Sequence, residues 1–128
     1  MQTKGIANVK RVVWISSSRT DLKGFPVPVR RNIGQALYTA QQGETDPAAK
    51  PLKGFGGVSV MEISERYDTN TYRAVYTTKF ADIIYILHVF QKKSTQGIKT
   101  TKQDISLIKG RIALAQTYEK NRRRNELK

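Results

Sequence analysis

The sequence predicts an α+β domain: an antiparallel sheet of about four strands, with N-terminal helices and a C-terminal helix packed on it. Three observations carry this. Strand-like runs at 58–66, 71–78 and 83–90 follow one another with only short turns between them. Short connections join antiparallel neighbours, because a parallel crossover takes a dozen or more residues. Apolar residues recur at helical spacing upstream (Val29, Ile33, Ala36, Leu37, Ala40) and downstream (Ile105, Ile108, Ile112, Ala115) of that meander.

The first element is a short strand over 11–16, rich in β-branched and aromatic residues. Ser16, Ser17 and Ser18 then offer helix caps, with Asp21 as an acidic first-turn residue. The Gly24-Phe25-Pro26-Val27-Pro28 segment breaks that short helix, since proline lacks an amide donor and restricts its predecessor. A longer helix begins near Val29 and ends at Gly43. The stretch 42–57 carries Asp46-Pro47, Lys50-Pro51 and Gly54-Phe55-Gly56-Gly57, and reads as a long connection. Asp68-Thr69-Asn70 supplies the first hairpin turn and Lys79-Phe80-Ala81-Asp82 the second. After a polar segment at 91–100, Thr100 or Thr101 caps the last helix, and Asp104 supports its positive end. Helices before and after a meander are expected to share one face of the sheet, leaving the other free, polar and concave.

The chain of 128 residues is read as one domain, 1–128, with a basic tail at about 119–128. It is long enough to bury a core without staples. Having no cysteine, it has no disulfide framework, thiolate zinc site or cysteine nucleophile. The opening residues lack the apolar core of a signal peptide, and the longest apolar run, at 83–90, is too short for a bilayer. A cytoplasmic location is expected, with no membrane partner. The 23 Lys and Arg stand against 10 Asp and Glu, a net charge of +13. That balance points to a polyanionic partner.

The last strand is the most informative stretch. Ile83-Ile84-Tyr85-Ile86-Leu87 runs directly into His88-Val89-Phe90-Gln91-Lys92-Lys93, so an apolar strand ends in the only histidine and two lysines. Regular alternation puts Ile84, Ile86, His88 and Phe90 on one face and Ile83, Tyr85, Leu87 and Val89 on the other. Both rows are apolar, so this strand is central. Glu62, Arg66, Tyr72, Arg73, Tyr76 and His88 are candidates for a wet sheet surface. Cutting RNA without a metal takes a base for the ribose 2′-hydroxyl, an acid for the leaving 5′-oxygen, and cations at phosphorus. His88 titrates near neutrality and suits either proton task. Arg73 and Arg66 offer planar forks for phosphate, and Lys92 and Lys93 compact charge. Tyr72, Tyr76 and Phe90 offer rings for bases, and Lys53 lies beside the glycine-rich turn. The bland reading of the same residues is a structural histidine, an Arg73 ion pair with Glu62 or Glu65, and tyrosines that only pack. With one histidine and no cysteine, no dedicated transition-metal site and no cofactor are expected.

The ordered series Lys50-Pro51-Leu52-Lys53-Gly54, Val60-Met61-Glu62-Ile63, Tyr72-Arg73-Ala74-Val75-Tyr76, the 83–93 strand end and Thr100-Thr101-Lys102-Gln103-Asp104-Ile105 resembles the phage-derived HigB-like branch of the RelE/ParE toxin superfamily. The similarity runs from about residue 29 to 116. The resemblance implies a RelE-like fold and the toxin of a type II toxin–antitoxin pair. It implies a metal-independent endoribonuclease (mRNA interferase) that cuts mRNA by 2′-hydroxyl attack, often on the ribosome, and so inhibits translation. By position it assigns Arg73 to the scissile phosphate, His88, Lys92 and Lys93 to the polar strand end, and Lys53 to the loop lysine. Its implied partner is a cognate antitoxin, often a helix-turn-helix protein. Thr101 stands where the family commonly has proline. The alternatives are a ParE-like gyrase inhibitor and a non-catalytic RNA- or DNA-binding module.

Overall fold

The computed structural model describes residues 9–56, 58–92 and 100–126. Its elements are β1 (Arg11–Trp14), α1 (Ser18–Lys23), α2 (Val27–Gln41), β2 (Ala49–Pro51), β3 (Val60–Tyr67), β4 (Asn70–Thr77), β5 (Ile83–Lys92) and α3 (Lys102–Glu126). The α+β class and the antiparallel β3–β4–β5 meander are as the sequence predicts. The sheet is larger and mixed: five strands in the order β1-β5-β4-β3-β2, with β1 parallel to β5. The extra strand, β2, comes from the expected connection. Its Pro51 sits on the sheet edge, where a missing amide donor costs no ladder bond.

Local chemistry explains the boundaries. Gly43, just beyond α2, takes a φ of +84° and donates its amide to the Ala40 carbonyl. Asp68 and Thr69 form a two-residue hairpin loop between β3 and β4, both at positive φ. That is the backbone twist such loops require, and aspartate tolerates it better than a β-branched threonine does. Pro28 stands in the first turn of α2, where its missing amide has no intrahelical partner to lose.

The helices do not share a face. Val29, Ile33, Ala36, Leu37 and Ala40 of α2, with Leu22 and Phe25 from α1 and its exit, pack on Ile63, Tyr72, Ala74, Tyr76, Ile84, Ile86 and Val89. Ile108, Ile112 and Ala115 of α3 pack on the opposite side against Val60, Val75, Ile83, Tyr85 and Leu87, together with Phe55 from the glycine-rich loop. The cause is visible in β5. A strand with two apolar rows needs a cover on each side, so α3 takes the face that the sequence reading left open.

The C-terminal half of α3 is fixed by a buried acid. Glu119 accepts hydrogen bonds from the Tyr85 hydroxyl (3.0 Å), from Arg122 Nη2 (2.5 Å) and from Arg123 Nε (3.1 Å). Arg122 also reaches Asp82 and Glu126. The Arg122 hydrogen bond holds the Glu119 carboxyl below the usual carboxylate range, against the opposing effect of burial. Burial, reinforced by Glu119, pushes the Tyr85 phenol up to about 12. Residues 119–126 of the stretch read as a basic tail are thus the last turns of a docked helix.

Ile86 is fully buried between the sheet and α2. Ile86→Ala should lower the unfolding free energy by about 3–4 kcal/mol, the usual cost of such a cavity. Equilibrium urea denaturation of both proteins measures it.

Candidate functional site

The site is made by an irregularity. Along the β4–β5 ladder Val75 pairs with His88, but Tyr76 pairs with Ile86, so Leu87 is an extra residue on β5. Such a bulge keeps two consecutive side chains on one side and reverses the alternation beyond it. Leu87 therefore stays in the α3-side cluster, and His88, Phe90 and Lys92 turn to that side with it. Val89 turns the other way, into the α2 core. The expected row of Ile84, Ile86, His88 and Phe90 is broken between Ile86 and His88.

The register brings further residues to the same face. Thr71, Arg73 and Val75 of β4 oppose Lys92, Phe90 and His88 of β5. Arg66, Ser64 and Glu62 of β3 oppose Thr71, Arg73 and Val75. A polar patch thus spans three strands beside the start of α3.

Within it, the two buried cations, Arg73 and Lys92, each have a carboxylate. Arg73 Nη1 lies 2.6 Å from Glu62 Oε1 and 3.1 Å from Ser64 Oγ. The Thr100 hydroxyl donates to the other oxygen of Glu62 at 2.6 Å. His88 Nε2 is 3.1 Å from Asp104 Oδ1, and Lys92 Nζ is 3.4 Å from Asp104 Oδ2. The Thr101 hydroxyl accepts the Asp104 amide, a side-chain N-cap of the helix, and donates to Asp104 Oδ2. Arg111 Nη1 donates to the Leu87 carbonyl at 2.9 Å and lies 3.5 Å from His88 Nδ1. The imidazole stacks on the Phe90 ring, with centroids 4.3 Å apart.

Electrostatics fix the histidine's state. Burial lowers the His88 pKa; the Asp104 hydrogen bond pulls it up, and the Arg111 charge pushes it further down. The net direction is down, so His88 is neutral at neutral pH. The tautomer that fits has Nε2–H donating to Asp104 and the Nδ1 lone pair facing Arg111. Burial raises the Asp104 carboxyl, but hydrogen bonds from Thr101, His88 and Lys92 outweigh it and hold the group below the ordinary range.

Not every expected residue belongs here. Arg73, His88, Lys92 and Phe90 meet, with Arg66 at the exposed end of the patch. Tyr72 and Tyr76 do not: both sit in the α2-side core, Tyr72 edge-on to Phe25, and neither has a ring face open to a base. Lys53 is exposed in the loop after β2, and no contact joins it to the patch among the described residues. Lys93 lies outside the described residues. The expected wet surface is also closed in, with Arg73 7 %, His88 9 % and Lys92 4 % exposed. A buried cation needs a counter-charge, and Glu62 and Asp104 supply it. Sequence reasoning missed Asp104 and Arg111 as members. The spacing of Thr101 and Asp104 signals a cap, but nothing in it shows that the same carboxylate reaches back to β5.

Residues 20–113 match the family model described as Phage derived protein Gp49-like. The chain belongs to that family. The match runs from α1 into the first half of α3, so it takes in every residue of the patch and leaves out Glu119. No curated protein and no solved structure matches this Gp49-like chain. Among the described residues no helix is long and apolar enough to cross a membrane.

The two neighbours of His88 act on it with opposite sign. In NMR titrations of the single imidazole, the midpoint should lie below 6.5, fall further in Asp104→Asn and rise in Arg111→Gln. Folded His88 binds its proton less readily than the unfolded chain does. Its contribution to stability is therefore present above about pH 6.5 and lost as pH falls through the lowered value.

Proposed function

We propose that this Gp49-like chain is the toxin of a type II toxin–antitoxin pair and that it cuts mRNA at the β5–α3 patch. The observation that carries the reading is the bulge, which gathers His88, Phe90 and Lys92 on the face that already holds Arg73 and Arg66. The phage-derived Gp49-like family supports the same class, as does the sequence resemblance to HigB-like toxins.

In this reading a phosphodiester displaces Glu62 and takes the fork of Arg73, with Lys92 as the second cation. The His88 Nδ1 lone pair accepts the proton of the 2′-hydroxyl. Its contact with Arg111 is at the outer limit of a hydrogen bond, so a hydroxyl can replace it. The 2′-oxygen attacks phosphorus, the P–O5′ bond breaks, and the leaving oxygen takes a proton from water or from the Lys92 ammonium. The products are a 2′,3′-cyclic phosphate and a 5′-hydroxyl. No step calls for a cofactor. The antitoxin and the ribosome are the partners this function brings with it.

One observation favours a second reading. Both interior cations are already neutralised by carboxylates, which suits a nucleic-acid-binding module without catalysis. Incubating the purified protein with RNA, with and without ribosomes, and analysing the fragment ends decides between them. Cleavage should leave cyclic phosphates, and Arg73→Ala and His88→Ala should each reduce the rate about 100-fold or more. Glu62→Gln should raise affinity for RNA. Intact RNA and unimpaired translation under both conditions would rule out the nuclease.

A further inference from the structure

The interior patch does not account for a net charge of +13, and α3 shows where much of the rest is carried. Its acids are Asp104, Glu119 and Glu126, and each is engaged: Asp104 with His88 and Lys92, Glu119 and Glu126 with Arg122. Lys102, Lys109, Lys120, Arg123 and Arg124 are all exposed. Of these, only Arg123 makes an ion pair among the described residues. Lys102, Lys109 and Lys120 fall in one row along the helix, because seven residues are close to two turns and eighteen are five, and Arg123 and Arg124 flank that row. The row extends over about 30 Å at the helical rise of 1.5 Å per residue.

The sheet side of this flank is grooved. A cleft of about 330 Å³ is lined by Thr100, Lys102, Ile105, Ser106 and Lys109. A second, of about 320 Å³, is lined by Gly54, Phe55, Gly56, Val58, Lys109 and Ile112. Lys109 lines both. Gly54 and Gly56 have positive φ, at +102° and +58°, and an added Cβ would meet nothing within 4 Å. The second cleft is therefore walled on one side by loop backbone with open space before it. At the other end Thr100 is one hydrogen bond from Glu62, and Glu62 one from Arg73.

We propose that this flank of α3 is a binding track for single-stranded RNA, continuing the strand away from the β5–α3 patch. The inference rests on the RNA-directed reading above and adds where the rest of the strand lies. A linear row of cations, Lys102, Lys109 and Lys120, with no ion pair among the described residues, matches a linear polyanion, and contacts to phosphate are indifferent to base sequence. The flank does not suit a membrane surface. The exposed apolar residues of α3, Leu107, Leu114 and Tyr118, form a separate stripe, and at 3.6 residues per turn Lys109 lies roughly 200° around from Leu107. A lipid-binding helix brings its apolar and cationic residues to one boundary.

The test uses the full chain and labelled 2′-O-methyl oligouridylates, which bind as RNA but cannot be cut by 2′-hydroxyl attack. The probes are a short strand of about four nucleotides and a longer one of about twelve, read by fluorescence anisotropy over a salt series. The wild type should bind the longer strand more tightly. The triple variant Lys109→Gln, Lys120→Gln, Arg124→Gln should bind it on the order of ten-fold more weakly, with the slope of log affinity on log salt reduced by about 2. Binding of the short strand should be nearly unchanged. All three positions are exposed, and circular dichroism checks that the variant folds. A wild-type slope in the variant, or no gain with length in the wild type, overturns the track and leaves the nuclease intact if the wild type still cuts unmodified RNA. A wild type that neither binds nor cuts RNA overturns both. Equal affinity for poly-glutamate, lost in the same variant, would assign the flank to an acidic protein and overturn the RNA track.

Discussion

The functional reading of this protein depends on one extra residue, Leu87, in the ladder between β4 and β5. A strand has a side-chain period of two, so a one-residue offset reverses everything downstream of it. Without the offset, His88, Phe90 and Lys92 would be directed into the core beneath α2, and Val89 would lie under α3. With it, Val89 completes the α2-side core, and a titratable ring, an aromatic platform and an ammonium join Arg73. The bulge sits where β5 passes the end of its pairing with β1 at Trp14–Ile86. The strand is free to twist there, because one of its two neighbours has ended.

Gathering cations in a protein interior carries a cost that decides the rest of the local structure. Arg73 and Lys92 cannot be buried charged without partners. Glu62 reaches Arg73 from β3, and Asp104 reaches Lys92 and His88 from the first turn of α3. Asp104 thereby does two jobs with one carboxylate: it accepts from the Thr101 hydroxyl that caps the helix, and it holds the imidazole in a single tautomer. The N-terminal placement of α3 and the state of His88 are coupled through that group. An anionic ligand entering the patch competes with carboxylates rather than filling a vacant positive pocket. That gives Glu62, the partner of Arg73 and of Thr100, a larger part than a sequence reading assigns to an acid that balances charge.

Much of the fold was legible in the chain. The period of Val29, Ile33, Ala36, Leu37 and Ala40 identifies α2, Gly43 its end, and Asp68-Thr69 the hairpin. The double apolar row of β5 also contained the reason for helices on both faces, though the simpler expectation of a shared face set it aside. Three features were not legible. The bulge leaves no local signature, because regular alternation also gives apolar residues at Leu87 and Val89. β2 is a three-residue edge strand held by pairing with β3, not by its own propensity. The role of Glu119 depends on Tyr85, which is remote in sequence and near in space. The candidate site followed the same pattern. Arg73, His88 and Lys92 announce themselves by residue type, whereas Asp104 and Arg111 belong to it only through the docking of α3. Tyr72 and Tyr76 fell on the wrong side because residue type says nothing about which face of β4 is covered by α2.

Because the chain contains a single histidine, the central claim can be read from one ring. Nuclear Overhauser contacts of the His88 imidazole report which side of the sheet it occupies. Contacts with the Phe90 ring and with Asp104 and Arg111 of α3 are the predicted result. Contacts instead with α2-side residues such as Ile33 or Ala74 would mean that β5 runs on without the offset, and the patch would not exist.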